Sequence, residues 1–285
     1  MNPLLLETIN DLPPLPKTVI ELRDYIDKKG ADVNLGDVAT IISKDPLLVG
    51  ELLRLANSPF YGFSRQVSTI QQVISLLGIT NIKNIVLANS IRSNFIIDVS
   101  PYGLETSTFL ENCAKEVDFI SEWLHEEDKG LANTLVPCAM LLRLGMILLS
   151  SILIKTNKDK EFLYANETNG FRDIHELENQ YCGVDSISFL GFLFDYWKFD
   201  EVLIQGIAFL DNPHAAEGEI QKIAYALAIT NTLFEPYQPL SQFNAKKAIA
   251  LLNEAQTQGI HFDLGNFLSK LPQEIKEKLE KDLES

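Results

Sequence analysis

The sequence predicts an all-α protein, and two observations support that prediction. Apolar residues recur every three or four positions through most of the 285-residue chain, which is the repeat of a helix with one buried face. No stretch longer than a few residues alternates strictly between apolar and polar side chains, as a half-buried strand would. Four of the helical runs are residues 15–26, 109–124, 187–197 and 220–234.

Boundary signals mark several of the predicted helices. Asp45 precedes Pro46, which is an N-cap followed by proline at the first helical position. Residues 68–71 read Ser-Thr-Ile-Gln and predict a capping box, and Gly78 is expected to end the helix that follows. Ser186 is expected to cap a later, phenylalanine-rich helix.

Residues 135–154 form the most apolar segment, and about 20 such residues could span a bilayer. Arg143 lies near the middle, where membrane insertion would cost roughly 2.5–3.5 kcal/mol. Pro137 and Gly145 also interrupt the segment. We therefore expect a helix buried on all sides in a soluble core rather than a membrane span.

Two polar linker segments divide the chain into three predicted parts. Residues 98–106 contain proline and glycine, and they separate an N-terminal helical lobe (1–100) from a second helical lobe (101–213). The polar break at residues 211–218 then precedes a C-terminal helical extension (214–285), which is expected to pack on the second lobe.

Charge and cysteine content restrict the class of partner. The chain has 39 Asp and Glu against 24 Lys and Arg, for a net charge of −15, which argues against nucleic acid and anionic membrane surfaces. The three cysteines form no CxxC pair and are expected to be small buried side chains in a reducing compartment. The N-terminus lacks the basic region of a signal peptide, so a cytoplasmic location is expected.

Residues 11–16 read Asp-Leu-Pro-Pro-Leu-Pro and have two interpretations. The segment could be a proline-rich ligand for another domain, or it could pack on the protein's own core. The second interpretation is favoured because the first helical repeat begins inside the segment, at Leu15.

A turn-rich segment near residue 60 is a candidate interaction loop. Its residues are Asn57, Phe60, Tyr61, Gly62 and Phe63. The rings either fill the groove between helices or form a surface for a partner or ligand. We expect at least one of the three rings to be substantially exposed.

Several blocks together resemble the HDOD domain, the HD-related output domain of bacterial signalling proteins. The blocks are residues 12–16 (LPPLP), 42–47 (ISKDPL), 52–58 (LLRLANS), 60–62 (FYG), 70–78 and 81–86. The resemblance extends over residues 11–213. It implies a two-lobed, HD-domain-like helical fold in a cytoplasmic regulatory protein of bacterial type.

The resemblance also implies a degenerate metal site. HDOD proteins are similar in fold to HD phosphohydrolases, which bind metal through dispersed histidines and aspartates. Where the family pattern often has these ligands, this chain has Asn112, Leu142, Arg143, Ser186, Leu210 and Asp211, with Asp185 adjacent to Ser186. Leucine cannot coordinate a metal, and an arginine repels one. No cofactor, no metal and no catalytic residues are therefore expected.

Arg143 is expected to take the place of the lost metal as an internal cation. A guanidinium left unpaired in an apolar segment would cost several kcal/mol and does not lose its proton. We expect it to contact Asp185, Asp211 or carbonyl groups at a helix end. The alternative is that the helix turns Arg143 to the surface.

The function expected from these features is that of a non-catalytic signalling module. It would bind a signalling protein on a separate chain, or a small ligand. A second hypothesis is a degenerate phosphohydrolase that acts on a nucleotide or phosphoester through Asp185 and Asp211 with Mg²⁺. A third is a purely structural homo-oligomer.

Overall fold

The computed structural model describes residues 14–58, 65–92, 95–172, 174–237 and 242–277, together with residues 9, 12 and 61. The predicted all-α class is confirmed, and no strand occurs among these residues. The chain divides into two compact units, Pro13–Phe95 and a larger one formed by Ile96–Ser285 with Met1–Leu12. The three-part division predicted at residues 100 and 213 stays a prediction.

The smaller unit is a cluster of five described helices. They are α1 (Lys17–Lys29), α2 (Leu35–Ile42), α3 (Pro46–Ala56), α4 (Ile70–Leu77) and α5 (Ile79–Arg92). Helix α1 packs on α2 and α5, and α4 packs on α2, α3 and α5. Apolar side chains from every one of these helices are fully buried, as the period of three or four requires.

Local sequence explains how these helices begin and end. Asp45 accepts hydrogen bonds from the first backbone N–H groups of α3, as predicted. The capping box at α4 consists of Thr69 and Gln72, one residue later than the predicted pair. Gly78 ends α4 with a φ of +83°, a conformation that favours glycine, and the chain bends by 112° between α4 and α5.

The larger unit holds the remaining described helices. They are α6 (Thr106–Glu127), α7 (Lys129–Ala139), α8 (Leu144–Lys155), α9 (Asp159–Asn169), α10 (Ile174–Cys182), α11 (Ser186–Tyr196), α12 (Glu201–Ala208), α13 (Gly218–Leu233), α14 (Gln242–Thr257) and α15 (Leu264–Lys270). Short 3₁₀ turns occupy Ser100–Tyr102 and Pro213–Ala215. Helix α8 packs on α9, α10 and α11, while α13 packs on α6, α7, α12 and α14.

The apolar segment at 135–154 is not one helix, which corrects the sequence prediction. Helix α7 ends at Ala139, a turn follows, and α8 begins at Leu144. Pro137 and Gly145 lie inside these helices rather than at the break. Lys129–Lys155 is long and apolar enough to cross a membrane, but 78% of its most apolar 18-residue window is buried inside the protein.

Candidate functional site

Arg143 lies in the turn between α7 and α8, and acceptor groups from two other segments bind its guanidinium. Its Nε and Nη2 donate to the two carboxylate oxygens of Glu116, at 3.1 and 2.7 Å. Its Nη1 donates to Asn231 Oδ1 at 2.7 Å. Its Nη2 also donates to the carbonyl oxygens of Asn231 and Phe234, both at 3.1 Å. The side chain of Arg143 is 10% exposed, so this cation is internal.

The partner carboxylate, Glu116, is 1% exposed and lies on the buried face of α6. Burial raises the pKa of Glu116 above its usual value, and the Arg143 guanidinium opposes that increase. The two parallel N–H···O bonds have the fork geometry that arginine offers to a carboxylate. The two carbonyl acceptors lie at and just beyond the end of α13, where the helix dipole also favours a cation.

The predicted role of Arg143 as an internal cation therefore agrees with the geometry, but its predicted carboxylate partner was wrong. Glu116 takes the place that we assigned to Asp185 or Asp211. The predicted contact with helix-end carbonyls is present, at Asn231 and Phe234.

A cavity of about 220 Å³ opens beside this ion pair. Three of the predicted degenerate positions line it: Leu142, Arg143 and Ser186. The other lining residues are Met146, Ile174, His175, Ile187, Asn231, Thr232, Glu235, Pro236, Tyr237 and Lys247. The lining thus combines apolar side chains with several polar and charged groups, which can orient a bound small molecule.

A buried carboxylate, Glu178, joins three segments next to the cavity. Its Oε1 accepts from Tyr102 Oη at 2.8 Å, and its Oε2 accepts from the backbone N–H of Ser186 at 2.8 Å. Its Oε2 also lies 3.0 Å from His175 Nδ1. This hydrogen bond with Glu178 raises the pKa of His175, although burial opposes the increase.

The remaining predicted positions do not join the Arg143 network. Asp185 is the N-cap of α11, where we expected Ser186, and it accepts from Ser188 N and Ser188 Oγ, both at 2.7 Å. These hydrogen bonds lower the pKa of Asp185, although burial alone would raise it. Asp211 is exposed, and Leu210 is buried.

Asn112 is not among the residues that line the Arg143 cavity. It lines a separate space of about 30 Å³ with residues of the loop before α6 and its first turn.

The candidate interaction loop is described in part. The side chain of Asn57 bonds to the backbone of Leu53 and Val67, which closes the loop after α3. Tyr61 is 1% exposed, and burial raises its pKa. Phe60, Gly62 and Phe63 lie outside the described residues, so the proposed binding role of this loop stays a prediction.

The cysteines do not form a reactive site. Cys138 and Cys182 are fully buried, as expected, while Cys113 is half-buried. Burial raises the pKa of Cys182 to about 12, so its thiol stays protonated and is a poor nucleophile.

Sequence reasoning missed Glu116, Asn231, His175 and Glu178. One signal could have found Glu116. It follows Cys113 by three positions on the apolar face of α6, where a carboxylate needs a buried partner. Asn231 carries no comparable signal, because it contacts Arg143 across 88 residues of sequence.

A family model for the HDOD domain matches residues 12–213. The chain belongs to the HDOD family. The predicted resemblance and the predicted two-lobed, HD-like helical class are thereby confirmed.

Related structures share this HDOD fold. A virulence factor from Campylobacter jejuni subsp. jejuni is 55% identical, with a TM-score of 0.65 over 97% of this chain and 99% of that chain. A protein from Shewanella amazonensis SB2B, provisionally named a phosphohydrolase, is 25% identical. Its TM-score is 0.65, and the match covers 94% of this chain and 93% of that chain.

A curated relative is longer than this chain. An uncharacterized protein of Treponema pallidum (strain Nichols) is 25% identical over 273 residues, which are 90% of this chain and 51% of that protein. The HDOD chain therefore spans about half the length of this relative.

The metal that the HD-like fold implies does not fit the residues present. Leu142 and Leu210 have no donor atoms, and the guanidinium of Arg143 is already bound to a carboxylate. Within the described part of the chain, no group of three or more His, Cys, Asp or Glu side chains could hold a metal ion. We therefore derive no chemical step through a metal.

Proposed function

We propose that this HDOD protein is a non-catalytic, cytoplasmic regulatory module of bacterial signalling. It would bind a signalling protein on a separate chain, or a small ligand, and change the state of its partner. The observation that carries the proposal is the ion pair of Arg143 and Glu116, in which Arg143 stands at a position where the family pattern often has a metal ligand.

The chemistry of that pair supports binding rather than hydrolysis. A phosphoester hydrolase of the HD type needs a divalent cation to polarise the phosphoryl group and to activate water. Here the cation is the Arg143 guanidinium, which stays charged and cannot deprotonate to act as a base or to activate water. The cavity next to it keeps polar groups at positions where they can orient a ligand.

The alternative is a degenerate phosphohydrolase that uses Asp185 and Asp211. Its support is the likeness to the Shewanella protein provisionally named a phosphohydrolase. The hydrogen bonds of Asp185 weigh against it, because Oδ1 accepts from the backbone N–H of Ser188 and Oδ2 accepts from the Ser188 hydroxyl.

A hydrolysis assay separates the two functions. The full-length protein would be incubated with bis-p-nitrophenyl phosphate and with a set of nucleotides, in the presence of Mg²⁺, Mn²⁺ or Fe²⁺. We expect no turnover above the protein-free blank. Metal-dependent turnover that disappears in an Asp185→Asn/Asp211→Asn double variant would overturn the proposal.

A further inference from the structure

The orientation of Asn231 is determined by Arg143. A guanidinium only donates hydrogen bonds, so it must face the oxygen of the Asn231 carboxamide, and Nη1 lies 2.7 Å from Oδ1. The NH₂ group of Asn231 is consequently turned away from Arg143. Among the described residues it has no acceptor, and Asn231 lines the cavity.

Ser186 presents a second polar group of the same kind. The residue is 7% exposed, and its backbone N–H donates a hydrogen bond to Glu178 Oε2. Its Oγ bonds to no residue in the described ranges, although the side chain lines the cavity. A hydroxyl on a cavity wall without a protein partner can donate a hydrogen bond to a ligand.

His175 adds a third group on the same cavity. Its Nδ1 faces Glu178, so the other ring nitrogen, Nε2, is left for a ligand. The glutamate favours the protonated ring, in which Nε2 is a donor. Three donors from α10, α11 and α13 thus surround one space.

The rest of the lining restricts the size and charge of the ligand. The volume of about 220 Å³ is below the roughly 300–1,000 Å³ of drug-sized sites, so the ligand is small. Leu142, Met146 and Ile187 offer an apolar surface. Glu235 lines the same cavity, and its negative charge disfavours a ligand that carries two negative charges.

We propose that this cavity binds a small organic carboxylate. The carboxylate oxygens accept hydrogen bonds from Asn231 Nδ2, Ser186 Oγ and His175 Nε2, and a short apolar portion lies against Leu142 and Met146. This inference rests on the proposed function, since it names the class of ligand that the module would sense.

Isothermal titration calorimetry of the full-length protein tests the inference with four probes: acetate, butyrate, benzoate and inorganic phosphate. We expect butyrate or benzoate to bind with a Kd below ~1 mM, at least ~10-fold more tightly than acetate or phosphate. No saturable binding up to ~10 mM, or tighter binding of phosphate, would overturn the inference.

Variants locate the binding in this cavity. Asn231→Asp keeps an acceptor for Arg143, so it preserves the fold, but it replaces the NH₂ donor by an anionic oxygen. Binding should weaken at least ~10-fold. Ser186→Ala should also weaken it, whereas Asn253→Asp, the same charge change at an exposed position of α14, should not. Equal affinities of Asn231→Asp and the parent protein would contradict the inference.

The two proposals can fail separately. Metal-dependent hydrolysis in the assay above would reject the regulatory function itself. Absence of carboxylate binding in a protein that shows no hydrolysis would reject only the ligand class.

Discussion

At the scale of single residues, the ion pair between Arg143 and Glu116 places two charged groups inside the larger unit. Both side chains are at least nine-tenths buried. Removal of one member of a buried pair leaves an uncompensated charge, which typically costs about 3–5 kcal/mol. Surface pairs contribute far less, since water screens them and the side chains lose entropy.

Two substitutions of Arg143 should therefore differ in their effect. Arg143→Leu removes the cation, and Glu116 can then bind a proton, because its pKa is already raised by burial. Arg143→Asp adds a second carboxylate beside Glu116, so it should lower the free energy of unfolding more. Urea midpoints of both variants measure the difference, and equal midpoints would contradict this account.

A matched control is available at the surface. Lys198 pairs with Asp195 at 3.1 Å, and both side chains are 62% exposed. Lys198→Leu should change the free energy of unfolding by less than ~1 kcal/mol.

His175 should make stability depend on pH. Its pKa is raised in the folded protein by Glu178, so the stabilisation is fully present below its unfolded value of 6.5. The stabilisation is lost as the pH rises through the folded pKa. Because 47% of the side chain is exposed, the effect should be below ~1 kcal/mol.

Urea unfolding at pH 5.5 and 8.5 measures this contribution. The parent protein should lose more stability between these two values than His175→Gln does, because only the parent protein has the shifted group. An identical loss in both proteins, or an NMR titration that gives His175 a pKa below 6.5, would show that the Glu178 contact does not act as described.

At the scale of secondary structure, the close approach of α8 to α11 positions the cavity. A Cβ atom on Gly145 would lie 1.9 Å from the carbonyl oxygen of Ser186. Glycine at this position therefore allows the start of α8, next to Arg143, to touch the start of α11. The two ends place Arg143 and Ser186 on one cavity.

Gly145→Ala should consequently destabilise the protein by at least ~1–3 kcal/mol, because backbone must move to admit the methyl group. Gly50→Ala is the matched control. Gly50 lies inside α3, and nothing comes within 4 Å of an added Cβ, so this change should stabilise by up to ~1 kcal/mol through helix propensity. Thermal unfolding of both variants checks the contrast, and similar shifts in Tm would refute it.

Periodicity predicted helices well, but it could not place every end. The run at 109–124 lies inside α6, and that at 187–197 nearly coincides with α11. The turn at residues 140–143 was missed because the surrounding segment is apolar on all sides, so no change of pattern marks the break.

The candidate site was predictable only in part. An arginine inside an apolar segment must have buried acceptors, and that argument correctly made Arg143 an internal cation. It could not choose among the many distant acidic residues, so Glu116 was missed. The donors of Asn231 and Ser186 depend on side-chain orientation, which no sequence pattern specifies.

At the scale of the whole molecule, the site extends beyond the part that the family model matches. The match ends at residue 213, but α13 and the segment after it supply Asn231, Phe234 and Glu235. The matched part of the chain thus provides Arg143. The residues after it provide the Asn231 and Phe234 oxygens that accept hydrogen bonds from Arg143. We expect the choice of ligand to depend on these C-terminal residues.

The proposed function requires that the ion pair of Arg143 and Glu116 take the place of a bound metal. The most direct test is elemental analysis of the full-length protein after exposure to Fe²⁺, Mn²⁺ and Zn²⁺ and removal of free metal by gel filtration. We expect far less than one equivalent of any metal per chain, because the residues that the structure describes include no group of three or more His, Cys, Asp or Glu side chains that could hold one. About one equivalent per chain, lost in the Asp185→Asn/Asp211→Asn variant, would contradict it.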